Sequence, residues 1–255
     1  MKLQDKVAIV TGAATGIGSA IAMGMAAEGA AIVIDYVGPD DLAKEVVGKI
    51  RGAGGKAHAI EADISKPEQV NAMVAQTVAT MGQLDILVNN AGLEYKRPFV
   101  DYPFDLWQKV IAVDLTGPFL CAQAAAKAMI QQGRGGRIIN ISSVHEDITM
   151  PTNAPYCAAK GGLRMLMRTI AVELAPHKIT VNNIAPGAIF TPIDKDVETN
   201  TKMESTLMAE IPLGRWGKPE EIAGLAVFLA SASAAYCTGS TFFIDGGMMR
   251  QAGSL

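Results

Sequence analysis

The chain has 255 residues, of which 49% are apolar and 18% charged, with 26 glycines and a formal net charge of −3. This composition is typical of a compact α/β protein with a substantial core and excludes a disordered chain. No stripe of Lys or Arg is present, which argues against a nucleic-acid-binding surface. The three cysteines Cys121, Cys157 and Cys237 lack metal-ligand spacing, so we expect no metal site, no disulfide framework and a reducing compartment.

The N-terminus runs from MKLQDK directly into an apolar strand, and we therefore expect no signal peptide. Residues 222–244 carry no charge and are long enough to cross a bilayer. Their serines, threonines and glycine instead predict a buried helix, a turn and a strand. We expect a cytoplasmic protein with no membrane partner.

The first predicted unit is a strand at residues 6–10, the turn TGAATGIG at 11–18 and a helix that ends near Gly29. A strand, a glycine-rich turn and a helix together place backbone N–H groups and a helix N-terminus at a phosphate. Gly12, Gly16 and Gly18 would let the backbone turn tightly and let a pyrophosphate approach.

Further strands are predicted at residues 31–35, 56–63 and 84–92, with helices at 40–53 and 67–81 between them. Each strand ends in a polar side chain. An acid at the position of Asp35 could hydrogen-bond the adenosine ribose hydroxyls. Asp63 and the segment Asn89 to Gly92 end the next two strands.

The second half of the chain continues the alternation of helices and strands. Helical segments cover residues 103–132 with an Ala-rich face. A strand at 137–142, a helix to about 175 and a strand at 179–184 follow, and a helix at 219–231 and a strand at 240–247 close the chain. Residues 187–212 lack periodicity and predict a substrate flap. The fold class is α/β, a single Rossmann-type doubly wound domain over 1–255, with a mostly parallel seven-stranded sheet flanked by helices on both faces.

One set of side chains points to acid/base chemistry. Tyr156 and Lys160 are four residues apart, which places them on one face of a helix. An adjacent ammonium favours the phenolate and lowers the tyrosine pKa, so the phenol could exchange a proton with an alcohol or carbonyl. Ser143, at the end of RIINIS, could hold the substrate oxygen. Ligands of such sheets bind at the carboxyl ends of the strands, where TGAATGIG, Asp35, Asp63, Asn89 and Ser143 all fall.

These motifs resemble the short-chain dehydrogenase/reductase family over essentially the full chain. TGAATGIG resembles the family's cofactor turn, NNAG its sheet-stabilising motif, Ser143 with YCAAK its catalytic set, and PGAIFTP its nicotinamide-binding segment. Within the family, the pieces NNAGLE, SSVHE, YCAAKGG and FIDGGM look most like glucose 1-dehydrogenases.

The resemblance implies that Tyr156 takes a hydroxyl proton while Ser143 fixes the oxygen, and that Lys160 lowers the tyrosine pKa and holds the nicotinamide ribose. A hydride then passes from C1 of an aldose, as from glucose to its lactone. Glu94, His145 and Glu146 could bind sugar hydroxyls. The implied cofactor contacts are Gly12, Thr15, Gly16, Ile17, Gly18, Asp35, Tyr36, Asp63, Ile64, Asn90, Ala91, Gly92, Tyr156, Lys160, Pro186, Gly187, Ile189 and Thr191.

Asp114 departs from the family, which has an asparagine there to help hold a water in a proton relay. An ionised aspartate can accept from that water but cannot donate, and its charge would pair with Lys160. We expect activity with an altered pH profile.

The cofactor expected is NAD. Relatives that prefer NADP usually carry Arg or Lys where this chain has Thr15 and Val37, and acids lie nearby at Asp35, Asp40 and Asp41. The family's ribose-binding acid usually falls at the position of Tyr36, one residue later, and one residue along a strand reverses the face.

Two other functions stay open: a 3-oxoacyl-thioester or other carbonyl reductase, and a nucleotide-binding protein that Asp114 has left with little turnover. The resemblance also implies a homotetramer, with the Ala-rich helix and the C-terminal segment as candidate interfaces.

Overall fold

The computed structural model describes residues 1–191, 205 and 207–250. Seven strands form one sheet in the order β3-β2-β1-β4-β5-β6-β7, and every neighbouring pair is parallel. The strands are β1 (Val7–Val10), β2 (Ala31–Tyr36), β3 (Lys56–Glu61), β4 (Ile86–Asn89), β5 (Gly136–Ile141), β6 (Ile179–Pro186) and β7 (Thr241–Ile244). The predicted fold class is confirmed, and the sheet is parallel throughout.

Helices cover both faces of the sheet. They are α1 (Gly16–Ala27), α2 (Asp41–Gly52), α3 (Pro67–Met81), α4 (Phe104–Ile111), α5 (Gly117–Gln132), α6 (Ala154–Leu174) and α7 (Pro219–Ala230). A π-helical turn, Ala112–Thr116, joins α4 to α5. Side chains of α1, α2 and α7 form one apolar core, and those of α3, α5 and α6 form the other.

Alternate residues of each strand supply the two cores, because successive side chains of a strand point to opposite faces. Val10 and Val88 pack with the first cluster, whereas Ile9 and Leu87 pack with the second. All four are buried. Burial on both sides explains why these strands read as continuous apolar runs rather than as alternating ones.

Proline and glycine mark the helix boundaries. Pro67 begins α3, where its missing N–H would have no partner in any case. Gly82 and Gly133 end α3 and α5 in the left-handed conformation, with φ of 80° and 69°. These local signals explain why the predicted bounds of α3 match the observed ones.

The strand order reverses at β1, and this reversal leaves a crevice at one edge of the sheet. β2 and β3 lie on one side of β1, and β4 to β7 lie on the other. The connections therefore diverge at the carboxyl ends of β1 and β4, which is where doubly wound sheets bind ligands. A cleft of about 850 Å³ opens there.

The predicted flap is described only in part. Ile189 pairs with Gly217 in an isolated parallel bridge, which anchors the start of this segment. Residues 192–204 and 206 lie outside the described residues. Across 1–191, 205 and 207–250, no helix combines the length and hydropathy that a bilayer crossing requires.

Candidate active site

The glycine-rich turn after β1 has the shape of a diphosphate cradle. Gly12 and Gly16 have φ of 61° and 55°, a region that favours glycine. A Cβ on Gly12 would lie 2.9 Å from Ala91 Cα. Helix α1 starts at Gly16, and the side chain of its N-cap residue Thr15 does not cap the first N–H groups, which point where an anion could accept them. The residues present therefore fit a dinucleotide.

Asn90 braces this turn from β4. Its side-chain amide donates to the carbonyls of Thr11 (2.9 Å) and Gly12 (3.2 Å). The Thr11 hydroxyl accepts in return from the backbone N–H groups of Asn90 (2.9 Å) and Ala91 (3.0 Å). Gly18 lies behind the turn, where a Cβ would come within 2.7 Å of Gly12 O. Gly18 thus permits close packing and does not line the cleft.

Asp35 and Tyr36, at the end of β2, face opposite ways. Asp35 is buried, and its Oδ2 accepts the Gly12 N–H at 3.2 Å. Burial raises the pKa of the Asp35 carboxyl to about 8, so the group is largely protonated at neutral pH. Tyr36 packs against the α1 and α2 side and lines the cleft. Asp35 therefore supports the turn, and Tyr36 is the more open of the two at the predicted ribose position.

Most of the other predicted cofactor residues surround the same cleft. Asp63 is fixed by hydrogen bonds from the Ser65 backbone N–H (2.9 Å) and hydroxyl (2.7 Å). Ile64 packs where Gly117 leaves room, since a Cβ there would meet it at 2.6 Å. The members of the predicted set that line the cleft are Gly12, Thr15, Gly16, Ile17, Asp35, Tyr36, Asp63, Ile64, Asn90, Ala91, Gly92, Tyr156, Lys160, Pro186, Gly187, Ile189 and Thr191.

Ser143, Tyr156 and Lys160 meet at the centre of the cleft. Ser143 follows β5 and lines the cleft together with Tyr156, and its hydroxyl acts to lower the pKa of the Tyr156 phenol. Its hydroxyl also accepts the His145 backbone N–H at 3.1 Å. Lys160, one turn along α6, holds its Nζ 5.3 Å from the centroid of the Tyr156 ring and 3.2 Å from Ile141 O. The predicted triplet is thus brought together.

The charges around Tyr156 act in opposite directions. Burial raises the pKa of the phenol, the Lys160 ammonium and the Ser143 hydrogen bond lower it, and the carboxylates of Asp114 and Glu94 raise it. Together these effects raise the pKa of the Tyr156 phenol above its ordinary value. The prediction that this pKa is lowered is therefore wrong for the protein by itself. The direction of the lysine's effect is confirmed. A protonated phenol at neutral pH favours donation of a proton to a carbonyl.

Asp114 lies in the π-helical turn before α5 and is fully buried. Its Oδ1 accepts the Leu93 N–H at 2.9 Å, and its Oδ2 lies 3.5 Å from Lys160 Nζ. Burial works to lower the pKa of the Lys160 ammonium, but Asp114 and Tyr156 outweigh it and raise that pKa. Burial raises the pKa of Asp114 itself. The predicted pairing of Asp114 with Lys160 is present.

Glu146 is placed differently from expectation. It is buried, accepts from Thr241 Oγ1 (2.6 Å) and Asn183 Nδ2 (3.0 Å), and does not line the cleft. The Asn140 side-chain amide donates to Asn183 Oδ1, and the Asn89 side-chain amide donates to Asn140 Oδ1, each at 2.9 Å. The interpretation of Glu146 as a sugar contact is therefore wrong. The short turn Val144–Glu146 carries His145 into the cleft, and Glu146 anchors its other side to β6 and β7.

Glu94 and His145, the predicted substrate contacts, both line the cleft. The Glu94 carboxylate accepts from Asn153 Nδ2 at 2.9 Å, and its other oxygen lies 3.6 Å from Lys96 Nζ. Burial lowers the pKa of the His145 imidazole. Sequence reasoning missed Asn153, because no motif singles it out. It also missed other residues that line the cleft, namely Leu93, Tyr95, Lys96, Lys109, Met150, Trp216 and Met248, whereas Leu207 belongs to the predicted flap.

The chain is similar to known oxidoreductases over nearly its whole length. A family model described as enoyl-(acyl carrier protein) reductase matches residues 12–249. A short-chain type dehydrogenase/reductase from Mycobacterium marinum is 40% identical, with a TM-score of 0.92 and 98% of each chain covered. The chain belongs to the short-chain dehydrogenase/reductase family.

Members of the family with similar sequences are named for different substrates. L-rhamnose 1-dehydrogenase (NAD(P)+) of a Sphingomonas species is 39% identical over 96% of this chain and 97% of the relative. 3β-Hydroxysteroid dehydrogenase 1 of Eggerthella lenta is 42% identical over 96% of this chain and 94% of the relative. A gluconate 5-dehydrogenase from Burkholderia cenocepacia, solved with NADP and tartrate, is 37% identical with a TM-score of 0.93 over 98% of both chains. The protein is an NAD(P)-dependent oxidoreductase of this family.

Proposed function

We propose that this short-chain dehydrogenase oxidises C1 of an aldose, with β-D-glucose as the leading substrate and the lactone as product. The observation that carries the proposal is that the acceptor Glu94 lines the same cleft as Ser143 and Tyr156. A pyranose presents several hydroxyl donors around its reacting carbon, and a carboxylate is an acceptor-only partner for them. The similarity to L-rhamnose 1-dehydrogenase supports an aldose.

The residues of the site divide the reaction between them. Ser143 donates a hydrogen bond to the reacting oxygen, and Tyr156 as phenolate takes the proton from the C1 hydroxyl. Lys160, held protonated beside Asp114, stabilises that phenolate. The bound nicotinamide supplies the chemistry of accepting a hydride from C1. Asp114 and Ile141 O fix the position of the ammonium, and so of its charge, next to the phenol.

We propose NAD as the preferred cofactor. Around Tyr36, the Lys44 ammonium is 2.7 Å from the Asp40 carboxylate and is therefore already paired. Burial and then the carboxylates of Asp40 and Glu61 raise the pKa of the Tyr36 phenol, so negative charge predominates there. The 2′-phosphate of NADP would lie near these acidic side chains, and no unpaired cation lies among them to balance its charge. A higher kcat/KM with NADP than with NAD would refute this preference.

Isotope transfer tests the proposed chemistry. Glucose deuterated at C1 should yield reduced nicotinamide that carries the deuterium, together with a lactone that hydrolyses to gluconate. Oxidation at another carbon would leave the cofactor unlabelled, and that result would contradict the proposal.

A second candidate, carbonyl reduction of a larger and less polar substrate, is supported by the apolar part of the cleft wall. Met150, Leu207, Trp216 and Met248 line it with apolar surface. Such a wall suits a hydrophobic ketone such as a 3-oxoacyl thioester. Reduction of ketones that is faster than oxidation of any sugar at neutral pH would favour this candidate.

The cytoplasmic location and the homotetramer are also proposals. The first rests on the three scattered cysteines, and the second on the family resemblance and the Ala-rich face of α5. A stable monomer at micromolar concentration in sedimentation would refute the tetramer.

A further inference from the structure

Asn153 is a buried amide whose position does not serve the helix that follows it. It lies at the N-cap of α6, three residues before Tyr156, yet its side chain makes no capping hydrogen bond. An asparagine at an N-cap normally accepts an N–H of the first turn. Here the side chain is fully buried, its Nδ2 donates to Glu94 Oε2 at 2.9 Å and to Met150 Sδ at 3.4 Å, and its Oδ1 has no hydrogen-bond partner among the described residues.

The Glu94 carboxylate fixes the orientation of that amide. An ionised carboxylate only accepts hydrogen bonds, so the NH2 end of Asn153 must face it. Burying Asn153 Oδ1 without a hydrogen-bond partner costs free energy of folding. The buried position of this side chain therefore serves its hydrogen bond to Glu94 and not the stability of the fold.

The backbone around Glu94 is held at both ends. The Leu93 N–H binds Asp114 Oδ1 at 2.9 Å, and the Arg97 N–H binds Thr152 O at 2.8 Å. Glu94 lies between these two bonds, and Asn153 anchors its side chain from the same turn that holds Arg97. The opposite partner, Lys96, is about half exposed and lies 3.6 Å away. Exposed pairs of this kind impose little orientation.

We propose that Asn153 is a positioning residue that presents the Glu94 carboxylate to a substrate hydroxyl, so that the pair selects polyhydroxy substrates over simple alcohols. This inference rests on the proposed function. Asn153 binds Glu94 Oε2 and leaves the remaining acceptor positions of the carboxylate available. A substrate with a hydroxyl beyond the reacting carbon gains this contact, whereas a simple secondary alcohol does not.

A double-mutant cycle in substrate kinetics tests the pair. Asn153→Leu removes the donor, and Glu94→Gln removes the charge at a partly exposed position. Each change should raise the KM for glucose at least roughly tenfold with a smaller effect on kcat, because a hydrogen bond to a charged group is lost. The kcat/KM for a simple secondary alcohol should stay within about twofold. The double variant should be no worse than the poorer single one, since Asn153 acts through Glu94.

The control is Thr152→Asn, in the same turn. Thr152 is exposed with φ of 71°, a conformation that asparagine tolerates, and only its backbone binds Arg97. This variant should keep the wild-type KM. Circular dichroism and cofactor titration show whether Asn153→Leu is folded, and Asn153→Ser, a smaller polar variant, replaces it if it is not.

The outcomes separate the two proposals. A wild-type enzyme that oxidises secondary alcohols but no sugar would refute the proposed function, and this inference with it. A wild-type enzyme that oxidises glucose, together with an unchanged KM in Asn153→Leu or additive effects in the cycle, would refute the inference alone.

Discussion

Replacing Asp114 by asparagine should make alcohol oxidation faster at neutral pH. The Asp114 carboxylate lies 3.5 Å from Lys160 Nζ and raises the pKa of the Tyr156 phenol. Asparagine removes this charge and can still accept the Leu93 N–H. The phenolate would then form at lower pH, so the rising limb of the pH–rate profile for oxidation should move towards acid.

The separation sets the size of the effect. Asp114 Oδ2 lies 3.5 Å from Lys160 Nζ, which lies 5.3 Å from the centroid of the Tyr156 ring, so the carboxylate is at most about 9 Å from that ring. Two unit charges about 9 Å apart repel by roughly 2 kcal/mol at an effective dielectric constant of about 20. Oxidation on the rising limb should therefore be at least roughly tenfold faster, since about 1.4 kcal/mol corresponds to a factor of ten.

The assay is kcat/KM for the alcohol across the pH range, with Asp101→Asn as a control that removes an exposed acidic charge elsewhere. Reduction of a ketone should respond in the opposite sense, because it needs the protonated phenol. A limb that does not move in Asp114→Asn would show that Asp114 carries no charge at the working pH, and would refute this reasoning. A large gain in turnover from a nearly inactive wild type would support the alternative of a chain silenced by Asp114.

Three further predictions concern supporting residues. Asp35→Asn should flatten the pH dependence of the free energy of unfolding, measured in urea. Burial raises the pKa of the Asp35 carboxyl from 3.8 to about 8. The wild-type protein should therefore lose roughly 1.4 kcal/mol of stability per pH unit as the pH rises between these two values. An equally steep decline in the variant would contradict it. Gly12→Ala should weaken cofactor binding at least roughly tenfold in a fluorescence titration, because a Cβ would lie 2.9 Å from Ala91 Cα at φ 61°; unchanged affinity would count against the cradle. Glu146→Ala should lower kcat while the affinity for the cofactor is retained, and Glu146→Gln should keep much of the wild-type kcat. Equal activity in the wild type and both variants would show that Glu146 and its hydrogen-bonded asparagines do not position the turn that carries Ser143.

Much of the architecture could be predicted from local sequence. Continuous apolar runs predict most of the strands and a period of 3.6 predicts the helices, with glycine and proline at the boundaries. The predicted bounds of α3 match the observed ones. The strands of a parallel sheet end at one edge, so the sequence alone predicts that Ser143 lies near Tyr156 and Lys160. The pairing of Asp114 with Lys160 followed from the family's catalytic set.

What the sequence could not show depends on burial and on distant contacts. Asp35 sits at a strand end like Asp63, but only the fold shows that it is buried under Gly12 while Asp63 is tied to Ser65. Glu146 follows His145 directly, yet the short turn sends the two side chains in different directions. Asn153 meets Glu94 across 59 positions of sequence. No local pattern encodes such a contact.

The most direct test of the central proposal is the initial rate of nicotinamide reduction by the purified protein, with NAD and NADP each assayed against glucose, other aldoses and simple secondary alcohols. We predict rapid glucose-dependent reduction that is faster with NAD. Cofactor binding without turnover of any sugar would contradict the proposal and favour a carbonyl reductase.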